Sequence, residues 1–155
     1  MHHWMLLSIV VALLVGMLLP LQALLNARVG ALTQGPLFAS FLSFAVGTVA
    51  LALVLLVTRT PIPSVRTLAT LPPWLWCGGL IGAVFVFCGT LLVPRLGAAG
   101  MICLVVAGQL VGSLALDHFG VLAEPRPVNW MRLLGALLVA VGALLVVRPW
   151  QAGGA

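Results

Sequence analysis

The sequence predicts an all-α integral membrane protein with five transmembrane helices. Hydrophobic residues make up 63% of the 155 residues and charged residues only 6%, against about 25% charged in an ordinary soluble domain. A small water-soluble chain leaves a large share of its residues at the surface, and this composition has too few polar residues to cover it. Five apolar stretches, each close to the roughly 20 residues that cross a bilayer as a helix, complete the prediction.

The first two spans are bounded by turn-forming residues and tryptophan. The first span covers about residues 4–28 and begins at Trp4, an aromatic residue of the kind that sits among lipid headgroups. Gly35-Pro36 separates the first span from the second, because glycine and proline interrupt regular helices. The second span, about 37–58, then continues to the polar, proline-rich segment RTPIPSVRTLATLPP.

The remaining three spans are also bounded by turn-forming residues and tryptophan. The third span, about 74–93, begins at Trp74 and ends before the sequence PRLG, which separates it from the fourth span, about 98–117. The segment DHFGVLAEPRPVN leads to the fifth span, about 130–147, which begins at Trp130. Together the five spans predict a single multi-pass transmembrane domain.

The net charge of +5 arises from seven arginines and two acidic residues. The arginines are isolated near span ends and form no basic face, so we expect no nucleic-acid partner. Five spans place four arginines on one side of the membrane (Arg59, Arg66, Arg126 and Arg132) and three on the other (Arg28, Arg95 and Arg148). Orientation requires a clear asymmetry of positive charge. This near balance favours insertion in both orientations and an antiparallel dimer in the lipid bilayer. If the orientation is single, the slight excess of arginine places the N-terminus in the cytoplasm.

Two amides share one face of the first span. Gln22 and Asn26 are four residues apart, which places both on the same side of a helix. Pro20 removes a backbone hydrogen bond just before them and can kink the helix. The amides either line a polar cavity and bind substrate or form hydrogen bonds between helices, and the two roles are compatible.

A second polar stripe runs along the fourth span. Gln109, Ser113 and Asp117 follow one another at intervals of four. Gln109 and Ser113 are further candidates for substrate binding. Asp117 is either a solvated helix end or a proton or cation site, with His118 as a neighbouring titratable group. In an antiparallel dimer, Asp117 of one protomer would lie at the depth of Arg28 in the other, as an ion pair between subunits.

Small residues indicate where helices approach closely. GxxxG patterns join Gly78 to Gly82 and Gly108 to Gly112, and Gly47 ends a related pattern that begins at Ser43. The three cysteines have no ligand spacing, so we predict no metal site. No nucleotide-binding or hydrolase motif is present, so we expect neither an enzyme nor a cofactor.

Two motifs carry a resemblance to a known family. PLQALLNARVG (20–30) and AGQLVGSLALDHFG (107–120) resemble the signatures of the YdcZ-like family, within the drug/metabolite transporter superfamily. The resemblance covers nearly the whole chain and implies the bacterial inner membrane. It also implies a five-helix half of a ten-helix fold, completed by a second copy or a related five-helix chain. The small multidrug resistance branch has a glutamate in its first helix, where this chain offers only Gln22 and Asn26.

These observations favour a secondary transporter. We expect an exporter of a small organic metabolite or drug-like compound that works by alternating access between two five-helix units. Asp117 is the candidate for coupling to protons. The alternative is a non-transporting membrane subunit that assembles with, or stabilises, a partner membrane protein.

Overall fold

The computed structural model describes residues 2–122 and 124–148. Within them the regular structure is helical. Two long helices come first, α1 (His2–Leu32) and α2 (Pro36–Val57), followed by the short α3 (Val65–Ala69) and a 3₁₀ helix (Pro73–Trp76). Helix α4 (Cys77–Phe119) and helix α5 (Trp130–Val147) complete the chain. This confirms the predicted all-α class.

Four helices are long and apolar enough to cross a membrane in the part of the chain that the structure describes: α1, α2, α5 and the long helix that ends at Phe119. The predicted third and fourth spans lie in this one element, α4. Its backbone departs from helical geometry at Gly97, with φ 71° and ψ 160°, where two helical segments meet at a kink. Pro94 lies inside the first segment, so the predicted break is shorter than its sequence suggested.

Other helix boundaries follow local chemistry. Helix α1 continues four residues beyond the predicted Arg28 boundary and remains helical on both sides of Pro20. Pro36 occupies the first turn of α2, where its missing N–H group costs nothing. The Asn129 side chain accepts a hydrogen bond from the Arg132 N–H at 2.9 Å and caps α5. Trp74 lies in the 3₁₀ helix, at the start of the apolar helical stretch Pro73–Phe119, as predicted.

The chain divides into two compact units between Leu91 and Leu92. In the N-terminal unit, α1 packs against α2 as an antiparallel pair joined by a tight turn. A Cβ atom at Gly30 would lie 3.3 Å from the backbone of Gly35 and Pro36, so glycine permits this close approach. Ala23 and Ala39 are buried, which shows small side chains at a close helix contact.

In the C-terminal unit, the second segment of α4 (98–119) pairs with α5. A Cβ atom at Gly100 would meet Val147 at 3.5 Å, and Asp117 reaches Arg132 at the other end. Ala136 and Ala143 are buried seven residues apart on one face of α5. Large apolar side chains along the helices, such as Leu13, Leu56 and Leu137, are exposed, as expected of a surface that faces lipid.

Candidate functional site

A groove of about 360 Å³ runs between α1 and α2 in the N-terminal unit. Six of its lining residues come from successive turns of α1, and four come from one face of α2. Three of them are polar: Gln22, Asn26 and Ser43. The others are apolar and comprise Leu18, Leu21, Leu25, Val29, Ala39, Leu42 and Val46. The lining therefore offers amide and hydroxyl groups on an otherwise apolar wall.

Asn26 is the most informative of these side chains. It is only 8% exposed, and among the described residues no hydrogen bond joins its amide to another group. No side-chain nitrogen or oxygen in the described chain is both fully enclosed and unpaired, so the amide must reach open space. That space is the groove. The amide is therefore free to hydrogen-bond a molecule that enters the groove.

Gln22 and Ser43 also line a second cavity of about 230 Å³, which continues toward Phe44, Gly47 and Val86. The two amides, Gln22 and Asn26, thus line one groove, as their spacing indicated. Ser43 was not predicted as a binding residue, because the sequence suggested only a packing role beside Gly47. Ser43 lies four residues after Ala39, so both share the α2 face that meets α1. That spacing could have identified Ser43 from the sequence.

An ion pair lies at one end of the C-terminal unit. An Arg132 guanidinium nitrogen, Nη1, donates to Asp117 Oδ2 at 3.3 Å, and the two side chains are 38% and 42% exposed. Both line a cavity of about 400 Å³ together with Ser113. Arg132 was not predicted as the partner of Asp117. The signal was their common placement at facing ends of consecutive spans.

The ion pair opposes the helix dipoles. Asp117 lies in the last turn of α4 and Arg132 in the first turn of α5. The C-terminal end of a helix repels a carboxylate and the N-terminal end repels a cation. Each charge therefore sits at the end that disfavours it, and the pair offsets both penalties. The pair therefore adds little net stability to the two helix ends.

The other residues of the fourth-span stripe have separate surroundings. The Ser113 hydroxyl donates to the backbone carbonyl of Gln109 at 2.7 Å. The Gln109 side chain is exposed and does not line the cavity that holds Ser113 and Asp117. His118 lines a different cavity beside Phe119 and Val128. Its Nδ1 accepts a long, 3.5 Å hydrogen bond from the Val128 N–H. Asp117 and His118 thus do not share one cavity.

The predicted packing residues differ in their surroundings. A Cβ atom at Gly82 would meet the Phe44 ring at 3.5 Å, which places Gly82 at a helix contact. At four other glycines a Cβ atom would meet no described neighbour within 4 Å: Gly47, Gly78, Gly108 and Gly112. The packing role of these four glycines stays a prediction.

Arg28 is exposed within α1. Its ion pair with Asp117 of a second protomer also stays a prediction.

Comparison with known proteins identifies the family. The model of the family described as "Putative inner membrane exporter, YdcZ" matches residues 7–145. The inner membrane protein YdcZ of Escherichia coli (strain K12) is 40% identical over 75 residues, which are 48% of this chain and 50% of that relative. The chain thus spans about half the length of that relative. No solved structure matches. The chain belongs to the YdcZ family and is a multi-pass bacterial inner membrane protein.

Proposed function

We propose that this YdcZ-family protein is a secondary transporter that exports a small organic molecule, and that the α1–α2 groove is its binding site. The observation that carries the proposal is the Asn26 amide, which is nine-tenths buried in a helix long and apolar enough to span the membrane and which lines the groove. A polar side chain in such a helix is costly, and such residues commonly mark substrate pathways. Gln22 and Ser43 extend the same polar surface.

The chain crosses the membrane five times in this proposal. The segments of α4 before and after Gly97 have about 20 residues each, and each is about 30 Å long at 1.5 Å per residue. That length matches the hydrocarbon core of a bilayer. Two five-span chains in opposite orientations then form the ten-helix transporter and alternate access to the groove between the two sides.

Asp117 is the proposed coupling group. Its carboxylate is partly exposed and faces a cavity, and its partner Arg132 is held by the first turn of α5. Protonation of Asp117 would break the ion pair and release Arg132, which links proton binding to a change between helices. In an antiparallel dimer, Arg28 of the second protomer is the alternative cation for the same carboxylate.

Transport is tested with purified protein in proteoliposomes loaded with a defined metabolite mixture. Mass spectrometry of the external medium after an imposed pH gradient is expected to show selective release of some compounds. Protein-free liposomes loaded with the same mixture and liposomes with the Asn26→Leu variant are the controls. Release equal to that of the protein-free liposomes for every compound would contradict the proposal.

Cysteine labelling separates this proposal from a non-transporting assembly subunit. Single cysteines at positions 22, 26 and 43, in a chain whose three native cysteines are replaced by alanine, are expected to react with a membrane-impermeant maleimide. An exposed lipid-facing position, Leu13→Cys, is the matched unreactive control. Protection of all three groove positions in every condition would favour the assembly subunit.

Reporter fusions test the antiparallel arrangement. A reporter at the C-terminus is expected to signal on both sides of the membrane, because four arginines against three give little orientation preference. Adding two arginines beside Arg66 should direct all molecules into one orientation and reduce transport. A signal from one side only in the unaltered chain would contradict dual insertion.

A further inference from the structure

We propose that the α1–α2 groove selects uncharged molecules that carry a carbonyl, amide or hydroxyl group on an apolar body. This inference rests on the proposed binding role of the groove. The polar groups that line it are the Gln22 and Asn26 amides and the Ser43 hydroxyl. Each of them both donates and accepts hydrogen bonds and none carries a charge.

The uncharged lining decides the class of ligand. An ion that enters the groove gives up hydration and finds dipoles but no lining side chain of opposite charge, and such a transfer is unfavourable. A neutral amide or ketone gives up less hydration. It then pairs with an Asn26 amide that otherwise lacks a partner. The groove therefore gains most from a neutral hydrogen-bonding ligand.

The dimensions and the placement of the polar groups agree with this class. A volume of about 360 Å³ suits a small organic molecule. Gln22 and Ser43 also line the adjacent cavity of about 230 Å³, so the polar groups lie between two mainly apolar spaces. A ligand with one polar group and an apolar body fills that pattern.

The test compares three probes of nearly the same shape: naphthamide, which is neutral, the naphthamidinium cation and the naphthoate anion. Equilibrium dialysis with the full chain in lipid nanodiscs measures each affinity at one pH and ionic strength. We expect naphthamide to bind at least about tenfold more tightly than either ion, a difference of about 1.4 kcal/mol. Tighter binding of an ion, or no saturable binding of any probe by folded protein, would overturn the proposal.

A charge placed in the groove should reverse the preference. Asn26→Asp is expected to bind naphthamidinium more tightly than naphthamide, because the carboxylate supplies the missing opposite charge. Gln22→Glu, at an exposed position that tolerates a charge, serves as the second variant if Asn26→Asp does not fold. Gln34→Glu, in the exposed turn after α1, is the matched control and should leave the order unchanged.

The outcomes separate this inference from the proposed function. An unchanged order of affinities in both folded groove variants would overturn the neutral-ligand inference, even if proteoliposomes showed transport. Neutral selectivity with no transport of any compound would leave the ligand class in place and overturn the transporter. A reversed order in Gln34→Glu would overturn the assignment of selectivity to the groove.

Discussion

The α1–α2 groove and the Asp117–Arg132 pair hold polar groups in a membrane protein by different means. In the groove the Asn26 amide is uncharged, nearly buried and without a described partner. At the end of the C-terminal unit the two side chains are charged, partly exposed and paired at 3.3 Å. An unpaired amide beside open space can gain a hydrogen bond from a ligand, whereas the two charges of the ion pair already have each other as partners. In the proposed function, the first region recognises the ligand and the second couples transport to protons.

The largest expected effect comes from removing the charge of Asp117. Asp117→Asn should reduce transport driven by a pH gradient at least about tenfold, within the range of coupling free energies between sites, while naphthamide affinity in nanodiscs stays unchanged. Proteoliposome flux and equilibrium dialysis measure the two quantities. Glu124→Gln, which neutralises an exposed acid in the next loop, is the matched control. Parallel loss of flux and affinity would remove the division between the two regions.

Gly97 lies at the kink in α4 near the boundary between the units, and its φ of 71° disfavours any other residue. Gly97→Ala should destabilise the folded protein by about 1–3 kcal/mol, the usual cost of a residue forced into such a conformation. Reversible unfolding in mixed micelles measures the change. Gly108→Ala, inside helical backbone with open space around its Cβ position, should be nearly neutral. Equal changes in the free energy of unfolding for the two variants would show that residue 97 does not need the left-handed backbone conformation.

Asn26→Ala tests recognition without adding charge. The affinity for naphthamide should fall about fivefold, or about 1 kcal/mol, the typical worth of one hydrogen bond, while the pH dependence of transport remains. Dialysis and flux at several pH values provide the readouts. Ser40→Ala removes another buried polar group, one that bonds the Pro36 carbonyl outside the groove, and should leave affinity unchanged. A changed pH profile in Asn26→Ala would place coupling in the groove.

The smallest effect is expected for the stability contribution of the ion pair. Arg132→Gln should change the free energy of unfolding by less than about 1 kcal/mol, because partly exposed pairs contribute little and the helix dipoles oppose both charges. Unfolding in mixed micelles measures it, with Arg126→Gln in the exposed loop as the control. A loss above about 2 kcal/mol would show that the pair is mainly structural.

The local pattern of apolar and polar residues was enough to predict the helical class, the bounds of α5 and the shared face of the two amides. Composition and span length predicted a helical membrane protein, and α5 begins and ends at the predicted residues. The four-residue spacing of Gln22 and Asn26 placed both amides on the face that lines the groove. These features depend on helix periodicity and on the cost of polarity in lipid, and both can be read from neighbouring residues.

The sequence alone was enough to predict which stretches are apolar enough to enter the membrane and which side chains share a helix face. The packing of the helices was needed to show that Ser43 joins the two amides, that Arg132 pairs with Asp117, and that His118 lines another cavity. Such partnerships depend on how one helix is rotated against another. In an almost uniformly apolar chain that rotation is selected by close packing at small buried residues such as Ala39 and Ala136, which the hydrophobic pattern does not distinguish.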